Sequence, residues 1–195
     1  MKQTPEFTKT MGKFRLDVFH DDEPAFSPRD NDNVGKMLFF HRDGYGDKHN
    51  MTTEQTHALT KRKDVVYLNV YGYSHGGMAI STSRTGQFAD PWDSGQLGII
   101  YMTAETYRNE FGKKLLNRKR ALKCLQSEVD EYNDYLTGNV HGYTITDTET
   151  GEEVNSCWGF IGDLKYAQQE GEGELKATFE YEQREAKKVA EAMHL

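Results

Sequence analysis

Apolar and polar positions alternate with a period of two through residues 14–20, FRLDVFH. Phe14, Leu16, Val18 and His20 fall on one side and Arg15, Asp17 and Phe19 on the other. That period predicts a strand. Residues 34–41 read VGKMLFFH and predict a second strand, with a helix as the alternative. The stretch 51–63, MTTEQTHALTKRK, opens on threonines with an early glutamate and closes on basic residues, as a short capped helix does. Residues 64–74, DVVYLNVYGYS, are β-branched or aromatic nearly throughout and predict a central strand covered on both faces. His75-Gly76-Gly77 then turns the chain, and MAISTSR, 78–84, returns as a hairpin partner.

The second half of the chain follows the same logic. LGIIYMT, 97–103, predicts a strand, and Thr103 is placed to cap a short helix AETYRNEF that Gly112 ends. Three-four spacing of Leu122, Leu125, Val129, Tyr132 and Leu136, with Leu115 upstream, predicts one buried stripe on a helix over 115–136. Residues 139–162 form a hairpin around the turn Asp147-Thr148-Glu149-Thr150-Gly151. A final helix carries Leu175, Phe179, Ala186, Val189 and Met193 on one side. The expected fold is α+β: a single mixed, mainly antiparallel sheet of about six strands with about four helices. Residues 1–12 are expected to be flexible, 13–167 to form the domain, and 168–195 to be an acidic linker and amphipathic helix.

Composition narrows the class. The chain has 195 residues, enough for a sizeable core without covalent staples. Aromatic residues make up 12%, which argues against disorder. A net charge of −7 disfavours generic attraction to phosphate, so direct nucleic-acid binding is not expected. No apolar run approaches the roughly 20 residues needed to span a bilayer, and the first residues lack the apolar core of a signal peptide. No membrane association is expected. Two cysteines, Cys124 and Cys157, are too few for a disulfide framework and point to a reducing compartment.

Candidate chemistry concentrates in four places. Asp21, Asp22, Glu23, Asp30, Asp32 and Asn33 precede the second strand, and His41, Asp43, Asp47 and His49 follow it. Oxygen-rich Asp30, Asp32 and Asn33 suit a divalent metal, although the EF-hand pattern is incomplete and no cofactor is otherwise expected. In PWDSGQ, Pro91, Asp93, Ser94 and Gly95 favour a turn. Trp92 there is a candidate anchor, with Asp90, Asp93 and Gln96 as specificity groups. Trp158 repeats the theme in NSCWGFIG, where Cys157 could be a nucleophile with His141, which lies on the facing arm of the same hairpin. Lys113, Lys114, Arg118 and Arg120 gather at a helix start, where cations oppose the macrodipole, and could meet an anion or an acidic partner.

Three segments together resemble a known family. They are SPRDNDNVGKMLFFHRDGYGDKH (27–49), PWDSGQLGIIYMT (91–103) and VHGYTITDTETGEEVNSCWGFIG (140–162). Patterns like PRxxDNxGxMxxxH, PWDSGQxGxIY and DSCWGFxG occur in this order in small uncharacterised proteins of bacteriophages and mobile elements. The resemblance spans roughly residues 14–162. Asn155 stands where the last pattern begins with Asp, so no carboxylate role carries over there. The resemblance implies provenance: a phage-encoded protein acting in the cytoplasm of a host bacterium. The expected function is binding to a host protein, inhibiting or redirecting a host machine such as a CRISPR or restriction defence. The alternatives are a metal-dependent phosphodiester or nucleotide hydrolase and a protein that sequesters a nucleotide signal.

Overall fold

The computed structural model describes residues 3–30, 33–112 and 115–193. Asp32, Lys113 and Lys114 therefore lie outside the described residues. In chain order the elements are β1 (Phe7–Met11), β2 (Phe14–His20), β3 (Lys36–Phe39), α1 (Thr53–Thr60), β4 (Val65–Ser74), β5 (Met78–Ser81), β6 (Ser94–Thr103), α2 (Ala104–Phe111), α3 (Arg118–Leu136), β7 (Val140–Asp147), β8 (Glu153–Ile161) and α4 (Leu164–Met193). The class is α+β as expected, but the single sheet is not. Eight strands form two four-stranded antiparallel sheets, ordered β1-β2-β7-β8 and β3-β6-β4-β5. The chain divides accordingly into two compact units, Met1–Ala25 with Gly138–Leu195, and Phe26–Thr137.

The reason for two sheets lies in what covers them. In the first unit, β2 pairs with β7 in the register Leu16↔Ile145 and Val18↔Tyr143. Those four side chains face α4, where Ala167 and Leu175 complete a closed apolar cluster. Burying each such aliphatic side chain contributes roughly 1.5–3 kcal/mol. Gly171 lets the helix approach: a Cβ there would sit 2.8 Å from Leu16 Cδ1. The stretch 168–174, expected as a linker, is thus part of the first half of a 30-residue helix, with Gly171 buried against the sheet. Within the N-terminal stretch, residues 7–11 form β1, because Phe7 and Met11 reach the same cluster and bring the strand onto the sheet edge. Beyond Phe179 the apolar stripe leaves the sheet, and Val189 and Met193 are exposed.

In the second unit, α3 covers one face of the other sheet. Ala121, Leu125, Val129 and Tyr132 pack on Met37, Val66, Val70, Ile100 and Met102. Leu115 and Leu122, expected in that stripe, are exposed. The helix begins only at Arg118, capped by Asn117 accepting from Arg120 N, and Ala121 is the residue that faces inward. Asn133 of α3 accepts from Ile80 N at 2.9 Å, which satisfies a donor on edge strand β5. On the opposite face, Leu59 of α1 packs with Leu38, Val65 and Ile99. That short helix covers only one end, so β4 is not buried on both sides: Asn69 is exposed and Tyr67 is 37% exposed.

Local signals are met closely elsewhere. Thr103 Oγ1 accepts from Thr106 N to cap α2, and Gly112 ends it at φ 58°. Thr52 and Gln55 form a capping box at α1.

Candidate functional site

The PWDSGQ corner is built by its own side chains. A 3-10 turn, Gly86–Ala89, precedes it. Asp90 Oδ1 accepts from Asp93 N at 2.9 Å and from Trp92 N at 2.8 Å. These two backbone donors, Asp93 first, hold the Asp90 carboxyl below its ordinary pKa. The Ser94 hydroxyl donates to the carbonyls of Phe88 and Asp90. Asp93 O accepts from Ser74 N at 2.9 Å, and its carboxylate lies 3.1 Å from His75 Nδ1, which ties the corner to the β4–β5 hairpin tip. Asp90 is therefore spent inside the turn, whereas Trp92 projects from it with 91% of its surface exposed. Ser94, Gly95 and Gln96 belong to β6 rather than to the loop. A cleft of about 280 Å³ lies at this corner, lined by Phe40, His41, Trp92, Asp93, Gln96 and Leu97 among others.

Gln96, Phe40 and Leu97 also line a second recess, a groove of about 500 Å³ between α1 and the open part of the sheet. Its other polar walls are Thr53, Thr56, His57, Thr60, Tyr67 and Asn69. Gln96 Nε2 donates to Asn69 Oδ1 at 3.2 Å and to Gly98 O at 3.4 Å. Thr56 is only 6% exposed, and its hydroxyl has no hydrogen-bond partner among the described residues.

The acidic loop before β3 is organised around a residue the sequence reading passed over. The Arg29 side chain is 5% exposed. Its Nε and Nη2 donate to the two carboxylate oxygens of Asp47 at 2.9 Å each. Its Nη1 donates to Glu128 Oε2 and to Asn33 Oδ1, and Nη2 also reaches Gly35 O. Glu128 Oε1 accepts from Val34 N and Gly35 N. Asn33 donates back to Pro28 O, and Asp30 accepts from Ser27 N. Asp30 and Asn33, candidate metal ligands, thus hold the loop's own backbone. Among the described residues, no group of three or more His, Cys, Asp or Glu side chains is placed to hold a metal ion. The signal for this network was present in the sequence: an arginine inside PRxxDN, and a glutamate at 128 within the buried stripe of α3.

The remaining candidates are dispersed. Arg118 donates to the carbonyls of Val65 and Lys63, bracing the start of β4. Arg120 lies 4.2 Å over the Phe111 ring. Trp158 sits on β8 of the first unit's sheet, stacked on Phe19 at 6.1 Å and resting over Gly142, so it shares no sheet with Trp92. His141 pairs with Phe160 in the ladder, not with Cys157, and its ring nitrogens face Gly162 O and Glu6. Residues 72–76 read Gly-Tyr-Ser-His-Gly, the G-x-S-x-G spacing of serine hydrolases. That motif belongs on a strand-to-helix turn; here it spans a strand-to-strand hairpin.

No protein-family model, no curated protein and no solved structure matches this chain.

Proposed function

We propose that this protein acts by binding, and that its ligand is a protein of the bacterium that hosts a phage or mobile element. The observation that carries the reading is Trp92: a large aromatic side chain, 91% exposed, on a corner fixed by four side-chain-to-backbone hydrogen bonds. Tryptophan is enriched among residues that dominate interface energies. A corner already rigid before association loses little entropy when it docks. The net charge of −7 favours a partner with a basic surface, because charge complementarity speeds encounter and selects among partners. Nucleic-acid-handling machines present such surfaces, and the family resemblance supports a phage origin. An anti-defence factor that inhibits or redirects a CRISPR or restriction machine fits both lines of support.

The test is a measured affinity for a partner identified by capture from host cells. Trp92→Ala should weaken that complex by about 2 kcal/mol or more, roughly 30-fold, with the unfolding midpoint unchanged. A partner held equally well by Trp92→Ala would overturn the reading.

A further inference from the structure

The groove between α1 and the open sheet face has a composition unlike the rest of this charged surface. It is lined by Phe40, Thr53, Thr56, His57, Thr60, Tyr67, Asn69, Gln96 and the strand residues beneath them, with no Lys, Arg, Asp or Glu among the described lining residues. In a chain with 28% charged residues, that is a selective wall. Apart from His57 it offers an ionic group no ionisable side chain to compensate lost hydration, so a phosphate, carboxylate or ammonium would be desolvated at a cost. At about 500 Å³ the groove lies within the range of small-molecule sites.

Two of the polar groups are paired amides. With Gln96 Nε2 donating to Asn69 Oδ1, the pair leaves Gln96 Oε1 as an acceptor and Asn69 Nδ2 as a donor. Reversing both amides would leave one donor and one acceptor just the same. An amide donor and an amide acceptor lining one groove can pair with the mixed donor and acceptor edge of a nucleobase, which a single Asn or Gln reads in adenine. The walls supply ring surface as well: Phe40 and Tyr67 are 41% and 37% exposed, and Phe40 is fixed by the His49 ring against it at 5.2 Å. Base stacking on such rings tolerates any base. The buried Thr56 hydroxyl beside the groove, unpartnered among the described residues, is a further polar group that a bound molecule or its water would satisfy.

We propose that this groove binds an uncharged nucleobase-type ligand, a free base or nucleoside, held at its edge by Gln96 and Asn69 and against the rings of Phe40 and Tyr67. Trp92 does not line the groove. The protein-capture outcome and this one are therefore read separately.

The experiment is a nitrogen-15 NMR titration of the full chain with adenosine, cytidine, guanosine and uridine, each alone, with AMP, and with a capped dipeptide amide. The expected result is saturable shifts of the Asn69 and Gln96 side-chain amide signals with at least one nucleoside. Binding should weaken at least about tenfold in Asn69→Ala. Gln96→Ala, at the exposed start of β6, provides a second variant should Asn69→Ala fail to fold. AMP should bind no tighter than adenosine. Three outcomes overturn the proposal: no saturable shift with any nucleoside, AMP binding more than about tenfold tighter than adenosine, or shifts only with a capped dipeptide amide, which would mark a peptide groove instead.

Discussion

Arg29 grips Asp47 through two parallel hydrogen bonds, Nε to one carboxylate oxygen and Nη2 to the other, both 2.9 Å. The fork geometry of guanidinium makes this possible, and lysine cannot reproduce it. Glu128 completes the set from α3, so one buried cation holds two carboxylates and the backbone turn into β3. Arg29→Ala would take from Asp47 and Glu128 the cation they share. We expect it to destabilise the protein by roughly 3–5 kcal/mol. Arg29→Lys should cost less, since charge is kept and only the fork is lost. Urea denaturation of both variants checks the order; equal losses would show that the fork geometry, not the charge alone, is what the loop requires.

Gly98 answers a question the PWDSGQxGxIY pattern raises. A Cβ at Gly98 would lie 1.9 Å from Leu38 O, the backbone of the neighbouring strand, which cannot step aside as a side chain could. Gly98→Ala should therefore break the β3–β6 ladder at Phe39↔Gly98. The expected cost is at or above the top of the usual overpacking range of roughly 1–3 kcal/mol. Amide exchange should accelerate at Phe40, whose N–H donates to Leu97 O, before the rest of the second unit. Protection that stays uniform would refute the local explanation.

His20 should make the first unit sensitive to pH. Its Nδ1 lies 2.8 Å from Asp22 and its Nε2 faces the carbonyl of Gly138, with His141 edge-on at 5.9 Å and Glu6 beyond. Asp22 chiefly, and the Gly138 carbonyl, raise the pKa above its ordinary 6.5, and partial desolvation opposes them. A folded-state pKa above the unfolded one stabilises fully below the unfolded value, where both states carry the proton. That stability is lost as pH rises through the higher folded pKa. Denaturation midpoints should thus fall from about pH 6 towards pH 8 relative to His20→Gln. Asp22→Asn should flatten the difference. A midpoint gap independent of pH would show that His20 contributes packing alone.

The pattern of side chains made strands and caps legible because those depend on near neighbours. Thr103, Gly112 and the alternation through Phe14, Leu16 and Val18 all act within a few residues. Sheet membership depends on distant pairing, and β2 meets β7 more than 120 positions along the chain, Val18 opposite Tyr143. Nothing local in VHGYTITD says which strand it will join. The same distance hid the site's wiring. Arg29 and Glu128 are 99 residues apart, and Gln96 and Asn69 are 27 apart. Glycines 171 and 173 read as a linker because helix propensity disfavours them. Gly171 is kept in α4 by close packing against Leu16, a contact that only the folded sheet reveals.

The division of labour between Asp90 and Trp92 gives the sharpest test of the binding corner. Asp90 touches backbone only, while Trp92 projects into solvent. If rigidity of the corner contributes to affinity, removing the brace must weaken binding even though no contact with a partner is deleted. Asp90→Ala should lower the unfolding midpoint modestly, as loss of comparable capping bonds does. It should also weaken the protein complex, but by less than Trp92→Ala. In a Trp158→Phe background, the fluorescence anisotropy of Trp92 should drop when Asp90 is replaced, because the indole then moves with a looser turn. Unchanged anisotropy with unchanged affinity would mean that Trp92 binds as a free arm, and that the order imposed by Asp90 serves the entry of β6 alone.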